Sequence, residues 1–134
     1  MTSELSQKIK DFLQERRFAV LATINQDGTP QLTTMWYLFE NDMIVMNTKA
    51  GRVKERNLRR DPRISVCFEN GYSYLTIAGK AELIDDPETA QHDIYRLAVR
   101  YNGEEAAKRQ VEKTFSKERR VTIRLRCEQV IDGL

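Results

Sequence analysis

Residues Phe18 to Phe39 read FAVLATINQDGTPQLTTMWYLF, and this stretch decides the fold class. Its apolar, β-branched and aromatic residues predict two strands joined at Asp27-Gly28, because this pair tolerates the positive φ angles that a tight hairpin needs. Both faces of the first strand are largely apolar, so we expect a central strand that is buried on both faces. A β-hairpin is therefore the starting point of the fold.

The segment before the hairpin predicts a helix. Leu5, Ile9, Phe12 and Leu13 recur at helical spacing, so they share one face of an amphipathic helix that begins near Ser3. Turn residues and alternation divide the rest of the chain into further elements. A turn at Asn41-Asp42 leads to a strand at 43–48, and a short basic helix then runs from Ala50-Gly51 and ends before Asp61-Pro62. Strands at 63–69 and 72–83 flank a turn at Asn70-Gly71. A helix from Pro87 to about Tyr101, a second helix to about Ser116 and a last strand at 120–131 complete the chain's predicted elements.

The last predicted strand alternates strictly, which indicates one buried and one exposed face. Its apolar face carries Val121, Ile123, Leu125 and Cys127, and its polar face carries Thr122, Arg124, Arg126 and Glu128. In the strand at 72–83, Gly79 indicates a bulge or a bend. Six mainly antiparallel strands in a chain of this size favour a small barrel, because a barrel has no unpaired sheet edges. The predicted fold class is mainly β with flanking helices.

The composition is that of a globular domain. The chain has 134 residues, of which 40% are hydrophobic and 31% charged, so we expect one domain spanning 1–134. No apolar run approaches the roughly 20 residues of a membrane helix, and the N-terminus lacks the features of a secretory signal, which predicts a cytoplasmic protein. Cys67 and Cys127 lie in strand-like segments, where we expect buried, reduced thiols.

Positive charge is concentrated in one segment, although the formal net charge is only +2. From Lys49 to Arg63 there are seven basic residues against two acidic ones, a local charge of +5. The remainder of the chain therefore carries −3. Such a concentration is typical of an anion site or a basic face.

Catalytic side chains are scarce. The one histidine, His92, lies on a predicted helix among charged neighbours, and no nucleophile triad or metal-ligand spacing is present. We therefore expect no metal site, and the sequence indicates no catalytic residue. If the protein is an enzyme, a bound cofactor carries the reactivity.

The basic segment is the best candidate for a phosphate site. Thr48 closes a strand, Ala50-Gly51 permits a tight turn, and Arg52 and Lys54 fall in the first turn of a helix, which together suit a phosphate group. The alternative is a solvated helix face, and on an ideal helix Arg52 and Lys54 would point about 200° apart. The later cations, Arg56, Arg59, Arg60 and Arg63, form an outer set whose role spacing alone leaves open.

A planar ring could rest along the second strand of the hairpin. Thr33, Thr34, Met35 and Trp36 lie there, and Trp36 or Tyr37 could cover the ring. The alternative interpretation is that these residues simply form part of a barrel.

Two motifs, LATINQDGTPQ at 21–31 and KERNLRRDPR at 54–63, carry a family resemblance. With the surrounding elements, the chain resembles the pyridoxamine 5'-phosphate oxidase-like superfamily, and within it the small oxidoreductases that use FMN or the deazaflavin coenzyme F-420. The resemblance implies a six-stranded antiparallel split β-barrel and a homodimer with two cofactor sites at its interface. It also implies the cofactor-binding residues, which are Gln31, Thr33, Thr34, Met35, Trp36, Asn47, Thr48, Arg52, Lys54 and Tyr74.

Within that set, the resemblance implies that Arg52 and Lys54 hold the phosphate, with Thr48 nearby. The ring would lie against residues 31–36, and Tyr74 would come from the partner subunit. The implied reaction passes hydride between the cofactor and a small flat substrate. NLRRDPR at 57–63 favours the deazaflavin over FMN, and vitamin B6 oxidation is not expected because no longer C-terminal segment follows Leu134.

Two alternatives to an oxidoreductase remain at the level of sequence. One is a flavin-binding or carrier protein without turnover. The other is a nucleic-acid-binding module, because the local +5 charge and nearby aromatic residues could suit phosphates and bases. The low net charge and the absence of a base-reading motif count against nucleic acid as a partner.

Overall fold

The structure is a computed structural model that describes residues 5–134, and these residues form nine strands in two antiparallel sheets. The five-stranded sheet has the order β2-β1-β5-β6-β9, and the four-stranded sheet has the order β3-β4-β8-β7. The strands are β1 Ala19–Ile24, β2 Pro30–Met35, β3 Leu38–Glu40, β4 Met43–Lys49, β5 Arg63–Asn70, β6 Ser73–Lys80, β7 Glu82–Ile84, β8 Arg120–Arg126 and β9 Gln129–Gly133. The predicted class, mainly β with flanking helices, is confirmed.

The predicted count of six strands is wrong, and the sheets do not close into one barrel. Three predicted strands each divide in two where the chain passes from one sheet to the other. The crossings lie at Trp36-Tyr37, at Ala81 and at Cys127-Glu128. Alternation continues across the bends at Trp36-Tyr37 and Ala81, so a period of two residues cannot reveal that the strand has changed sheets there. At Cys127-Glu128 it is interrupted by the exposed pair Glu128-Gln129.

Gly79 is neither a bulge nor the bend itself. β6 keeps its regular pairing there, with Gly79 opposite Ile64, and the bend follows at Ala81. A Cβ atom on Gly79 would lie 3.1 Å from Cδ1 of Leu125 on the other sheet. The glycine therefore permits the close approach of the two sheets.

The helices flank the sheets, and two of them begin at residues whose side chains cap the helix. Asp86 caps α3 by accepting a hydrogen bond from the Thr89 N–H, and Ser6 caps α1 by accepting one from the Ile9 N–H. The predicted start near Ser3 lies outside the described residues. The helices are α1 Gln7–Gln14, α2 Val53–Arg60, α3 Pro87–Asn102 and α4 Glu104–Lys113, followed by a 3₁₀ turn at Phe115–Lys117. Among the described residues, no helix is long and apolar enough to cross a membrane.

The core lies between the two sheets, with α1 packed at one end. Its largest side chains have less than 2% of their surface exposed, and they include Tyr37, Phe68, Leu13, Leu21, Ile44, Met46, Leu75 and Ile77. Tyr37 shows how a polar atom is accommodated there, since its hydroxyl donates a hydrogen bond to the Leu13 carbonyl at 2.9 Å. Cys127 belongs to the same core, whereas Cys67 is only half-buried, and both thiols are free.

The prediction that β1 is buried on both faces is wrong. It is a central strand, but Phe18 just before it is 57% exposed and Val20 is 36% exposed. The pairing register places Val20 on the same face of the five-stranded sheet as three other exposed apolar side chains. We call this face the outer face, and those side chains are Leu32, Tyr74 and Ile131.

The prediction that β8 has one fully exposed face is wrong for its first half. Thr122 is completely buried, because α3 packs across β4 and β8 and its Asp93 accepts a hydrogen bond from the Thr122 hydroxyl at 2.7 Å. Arg126 and Glu128, beyond the end of α3, are exposed as predicted.

Candidate functional site

A cavity of about 210 Å³ lies where the end of β2, the end of β4, α3 and the segment before β8 meet. Its wall combines cationic and amide side chains with aromatic and aliphatic ones. The lining residues are Thr34, Met35, Trp36, Asn47, Arg52, Ile94, Leu97, Phe115 and Arg120. This combination suits a ligand that has an anionic group and an apolar or planar part.

Five of the predicted site residues line this cavity, namely Thr34, Met35, Trp36, Asn47 and Arg52. Four others, Gln31, Thr33, Thr48 and Lys54, lie on the same strands and helix but outside the cavity wall. Tyr74 stands apart, since β6 is three strands from β2 in the sheet, about 14 Å at the usual strand spacing. One chain therefore does not bring Tyr74 to the cavity.

Trp36 is held in a fixed orientation at the cavity wall. Its ring stacks on that of Tyr101, with centroids 5.3 Å apart and planes inclined by 9°. The Tyr101 hydroxyl donates to the Arg17 carbonyl at 2.6 Å and accepts from the Tyr37 N–H at 3.1 Å. The indole is thus a preformed planar surface, at the point where the chain crosses between the sheets.

The separation of about 200° expected for Arg52 and Lys54 on an ideal helix does not apply, because only one of them lies within the helix. Arg52 is the N-cap residue of α2, with an extended backbone at φ −72° and ψ 158°, and only Lys54 lies within the helix. Arg52 is exposed, whereas Lys54 is only 6% exposed. The two side chains therefore differ in environment.

Lys54 is a buried cation in a positive environment. Burial lowers the pKa of its ammonium group, and the charges of Arg52 and Arg120 lower it further. Within residues 5–134, no carboxylate lies within ion-pair distance of it. An anion at this position would remove the conflict.

Thr48 adds an unpartnered donor nearby in the chain. Its hydroxyl is buried and has no hydrogen-bond partner in the described part of the chain. The Thr48 hydroxyl is buried without an acceptor among residues 5–134, which is costly unless a ligand supplies one, and Lys54 adds a cation of low exposure nearby in the chain. The donor set at the start of α2 therefore fits a phosphate-bearing cofactor.

Arg120, which the sequence analysis did not single out, is a further cation in the cavity wall. It is 8% exposed, and its Nε donates to Oδ1 of Asn47 at 2.9 Å while Nη1 donates to Oε1 of Glu118 at 2.9 Å. The only sequence signal was its position at the start of a strand, as the second residue of the basic pair 119–120. Its role depends on β8 pairing with β4, which no local pattern shows.

The outer set of arginines is engaged within the protein. Arg59 bridges Glu55 and Asp85, Arg60 donates to the Ile24 carbonyl and to Asn57, and Arg63 pairs with Asp61. These contacts hold α2 against β1 and the chain before α3. The cations of the basic segment thus separate into the outer set, Lys49, which pairs with Glu118, and the pair Arg52 and Lys54.

Comparison with known proteins places the chain in a family. Residues 5–132 match the family model described as pyridoxamine 5'-phosphate oxidase. A biliverdin reductase from Mycobacterium tuberculosis that depends on reduced coenzyme F-420 is 26% identical over 102 residues, covering 75% of this chain and 74% of the relative.

Solved structures agree with this assignment. A conserved hypothetical protein of Mycobacterium tuberculosis superposes with a TM-score of 0.80 at 33% identity, over 96% of this chain and 84% of the other. An F-420 reductase superposes with a TM-score of 0.73 at 26% identity, over 95% and 98% of the two chains. With the family match spanning nearly all the described residues, the chain belongs to the pyridoxamine 5'-phosphate oxidase family.

Proposed function

We propose that this protein is an oxidoreductase that binds the deazaflavin coenzyme F-420, or FMN, and passes hydride between it and a small flat organic substrate. The single observation that carries the proposal is the composition of the cavity wall. Arg52 and Arg120 stand in the same wall as the preoriented ring of Trp36, so one ligand with an anion and a planar ring would satisfy both.

The described residues have distinct roles in this proposal. Arg52, Lys54 and the Thr48 hydroxyl would hold the phosphate, since each is a donor and the Thr48 hydroxyl is buried without an acceptor among residues 5–134. The strand at residues 31–36 would support the ring, with Trp36 fixing its plane. The bound cofactor supplies the hydride chemistry, and the protein supplies orientation and exclusion of water.

We further propose a homodimer that completes the cofactor site. The cavity of about 210 Å³ is smaller than the roughly 300–1,000 Å³ of typical ligand pockets, so one chain would enclose only part of a flavin. Thr34 lies on the outer face, opposite Val20 in the sheet, and it also lines the cavity. A second copy packed on the outer face would therefore reach the cavity and could bring Tyr74 to it.

The relatives support F-420 as the first cofactor to test. The named reductases use F-420, and the chain covers most of the length of each. Arg59, Arg60 and Arg63 of the NLRRDPR segment add no support for it, because they have partners within the protein. FMN is thus the second cofactor to test.

The test is a titration of the purified protein with F-420 and with FMN, followed by absorbance and fluorescence. Replacing both Arg52 and Lys54 by Ala should weaken binding about 100-fold or more, because each cation contributes roughly 1.5–3 kcal/mol through charged hydrogen bonds. The matched control, Arg59→Ala with Arg60→Ala, removes the same charge and should lower stability while changing affinity much less. Equal losses of affinity from both pairs would mean that the wrong cations are assigned.

Two further measurements separate the alternatives. A carrier would bind the cofactor tightly but show no oxidation of reduced F-420 or FMN with any of a panel of flat acceptors such as quinones and tetrapyrroles. A nucleic-acid-binding module would bind neither cofactor and would bind polynucleotide with a steep dependence on salt.

A further inference from the structure

Arg120 has an environment that is unusual for a charged side chain. It opens β8, directly opposite Lys49 on β4, and only 7% of its side chain is exposed. Burial lowers the pKa of its guanidinium, an effect that the hydrogen bond to Glu118 opposes. The Phe115 ring lies against it, 5.1 Å from the guanidinium carbon. The protein thus keeps a cation inside, next to Lys54, where a positive charge is already unfavourable.

Two of the three guanidinium nitrogens of Arg120 donate hydrogen bonds within the described part of the protein, and the third does not. Nε and Nη1 donate to Asn47 and Glu118, both at 2.9 Å. Nη2 has no acceptor among residues 5–134, although Arg120 lines the cavity beside Arg52. A guanidinium with two nitrogens fixed and the third next to a cavity is oriented to donate to a ligand oxygen.

The side-chain amide of Asn47 is held by the protein in the orientation in which its oxygen accepts from Arg120. Its Nδ2 donates to the Ala90 carbonyl at 2.9 Å and to the Thr122 hydroxyl at 3.3 Å. These bonds leave only Oδ1 to face Arg120. The amide hydrogens that a phosphate oxygen would need are therefore already used by the protein.

We infer that Arg120 is a third anion-binding cation of this site, whose Nη2 donates to a phosphate oxygen of the cofactor, and that Asn47 is a positioning residue that acts through Arg120. This inference rests on the proposed function. It revises the sequence expectation that Asn47 itself binds the cofactor. It also assigns Glu118, which bridges Arg120 and Lys49, to holding the guanidinium in place.

The test compares FMN with riboflavin, which has the same ring but no phosphate. Arg120→Gln should weaken FMN binding by roughly 10- to 100-fold, the value of one or two charged hydrogen bonds, and riboflavin binding by less than about threefold. Flavin fluorescence measures both affinities. Equal loss for the two ligands would overturn the inference, because a merely structural role would not distinguish them.

Asn47 is tested by a double-mutant cycle. Asn47→Leu should reduce FMN affinity selectively but less than Arg120→Gln does, and adding it to Arg120→Gln should cost little more, because both changes remove one interaction. Additive losses would contradict a positioning role. If Arg120→Gln does not fold, Arg120→Lys keeps the buried charge without the fork geometry, and the same selective loss is expected from it.

The outcomes also separate this inference from the proposed function. If the unmodified protein binds neither FMN nor F-420, the proposed function fails and the inference fails with it. If it binds FMN but Arg120→Gln and Arg120→Lys leave the preference for FMN over riboflavin unchanged, only the role of Arg120 is wrong.

Discussion

Lys54 is a residue whose environment conflicts with its charge. Its folded-state pKa lies below the ordinary 10.5, because burial and two neighbouring cations disfavour the charged form. Between that lowered pKa and 10.5 the unfolded chain binds more protons than the folded one, so this group makes stability rise with pH across that window. Below the lowered pKa, Lys54 is charged in both the folded and the unfolded chain, so the full free-energy cost of its charge in the folded protein is present. A residue with this property is typical of a site arranged for a ligand rather than for stability.

Lys54→Met should therefore stabilise the cofactor-free protein and weaken cofactor binding. Removing a positive charge that lies beside two other cations, from a side chain of low exposure, should raise the free energy of unfolding by about 1 kcal/mol at pH 7. Denaturant melts measure the free energy of unfolding, and the stability gained by Lys54→Met should shrink as the pH approaches 10.5. Lys54→Arg, which keeps the charge, is the control and should give no gain. A less stable Lys54→Met protein would show that the ammonium is a stabilising partner in the fold.

At the scale of elements, a buried polar chain attaches α3 to the four-stranded sheet. Asp93 on α3 accepts from Thr122 at 2.7 Å and from Arg96 at 2.8 Å, and Arg96 continues to Glu40 on β3. Thr122 in turn accepts from Asn47. The same contacts that fix the helix thus lead to the residue that orients Arg120, so helix docking and site geometry are coupled.

Thr122→Val keeps the shape of the side chain but removes its hydroxyl. It would leave Asp93 without one donor in a site that is only 2% exposed, so unfolding free energy should fall by about 1–3 kcal/mol. Thr114→Val is the control, because Thr114 is exposed and its hydroxyl makes no hydrogen bond within residues 5–134. Thr114→Val should change the free energy of unfolding by no more than about 0.5 kcal/mol. Equal effects in denaturant melts would mean that the hydroxyl bond contributes little.

At the scale of the whole molecule, the outer face is the feature that a single chain leaves unexplained. Val20, Leu32, Tyr74 and Ile131 are between 36% and 63% exposed and share one face of the five-stranded sheet. A hollow of about 390 Å³ lies on the same sheet, lined mainly by small or uncharged side chains. An apolar sheet face of this kind is a common site of association.

Leu32→Lys should convert the proposed dimer to monomers. A charge on the outer face would be buried without a partner in the dimer but hydrated in the monomer. Sedimentation velocity should show the change, and affinity for the cofactor should fall at least tenfold although Leu32 does not line the cavity. Ser116→Lys adds the same charge at an exposed position away from this sheet and should change neither. A wild-type protein that sediments as a monomer at tens of micromolar would refute the dimer.

Local patterns were sufficient for most element positions and for part of the site. Asp86-Pro87 marks the start of α3 and Asp61-Pro62 the end of α2, because capping and proline effects act within a few residues. The basic segment also predicted Arg52 as a phosphate ligand, and the structure places Arg52 in the cavity wall. The segment could not show that Arg59 and Arg60 are bound within the protein, because their partners, Asp85 and the Ile24 carbonyl, lie far from them along the chain.

The sequence by itself determined the β-rich class, the family resemblance and the concentration of cations beside a strand end. Only the tertiary structure decided that three long strands each cross between two sheets, that Thr122 lies under α3, and that Arg120 joins Arg52 in one cavity. The physical reason is that hydrophobic alternation and turn chemistry are local, whereas bends between sheets and converging charges depend on which distant strands pair. Asn47 illustrates both limits, because the family resemblance implied that it binds the cofactor, whereas in the structure its Nδ2 donates to the Ala90 carbonyl and its Oδ1 accepts from Arg120.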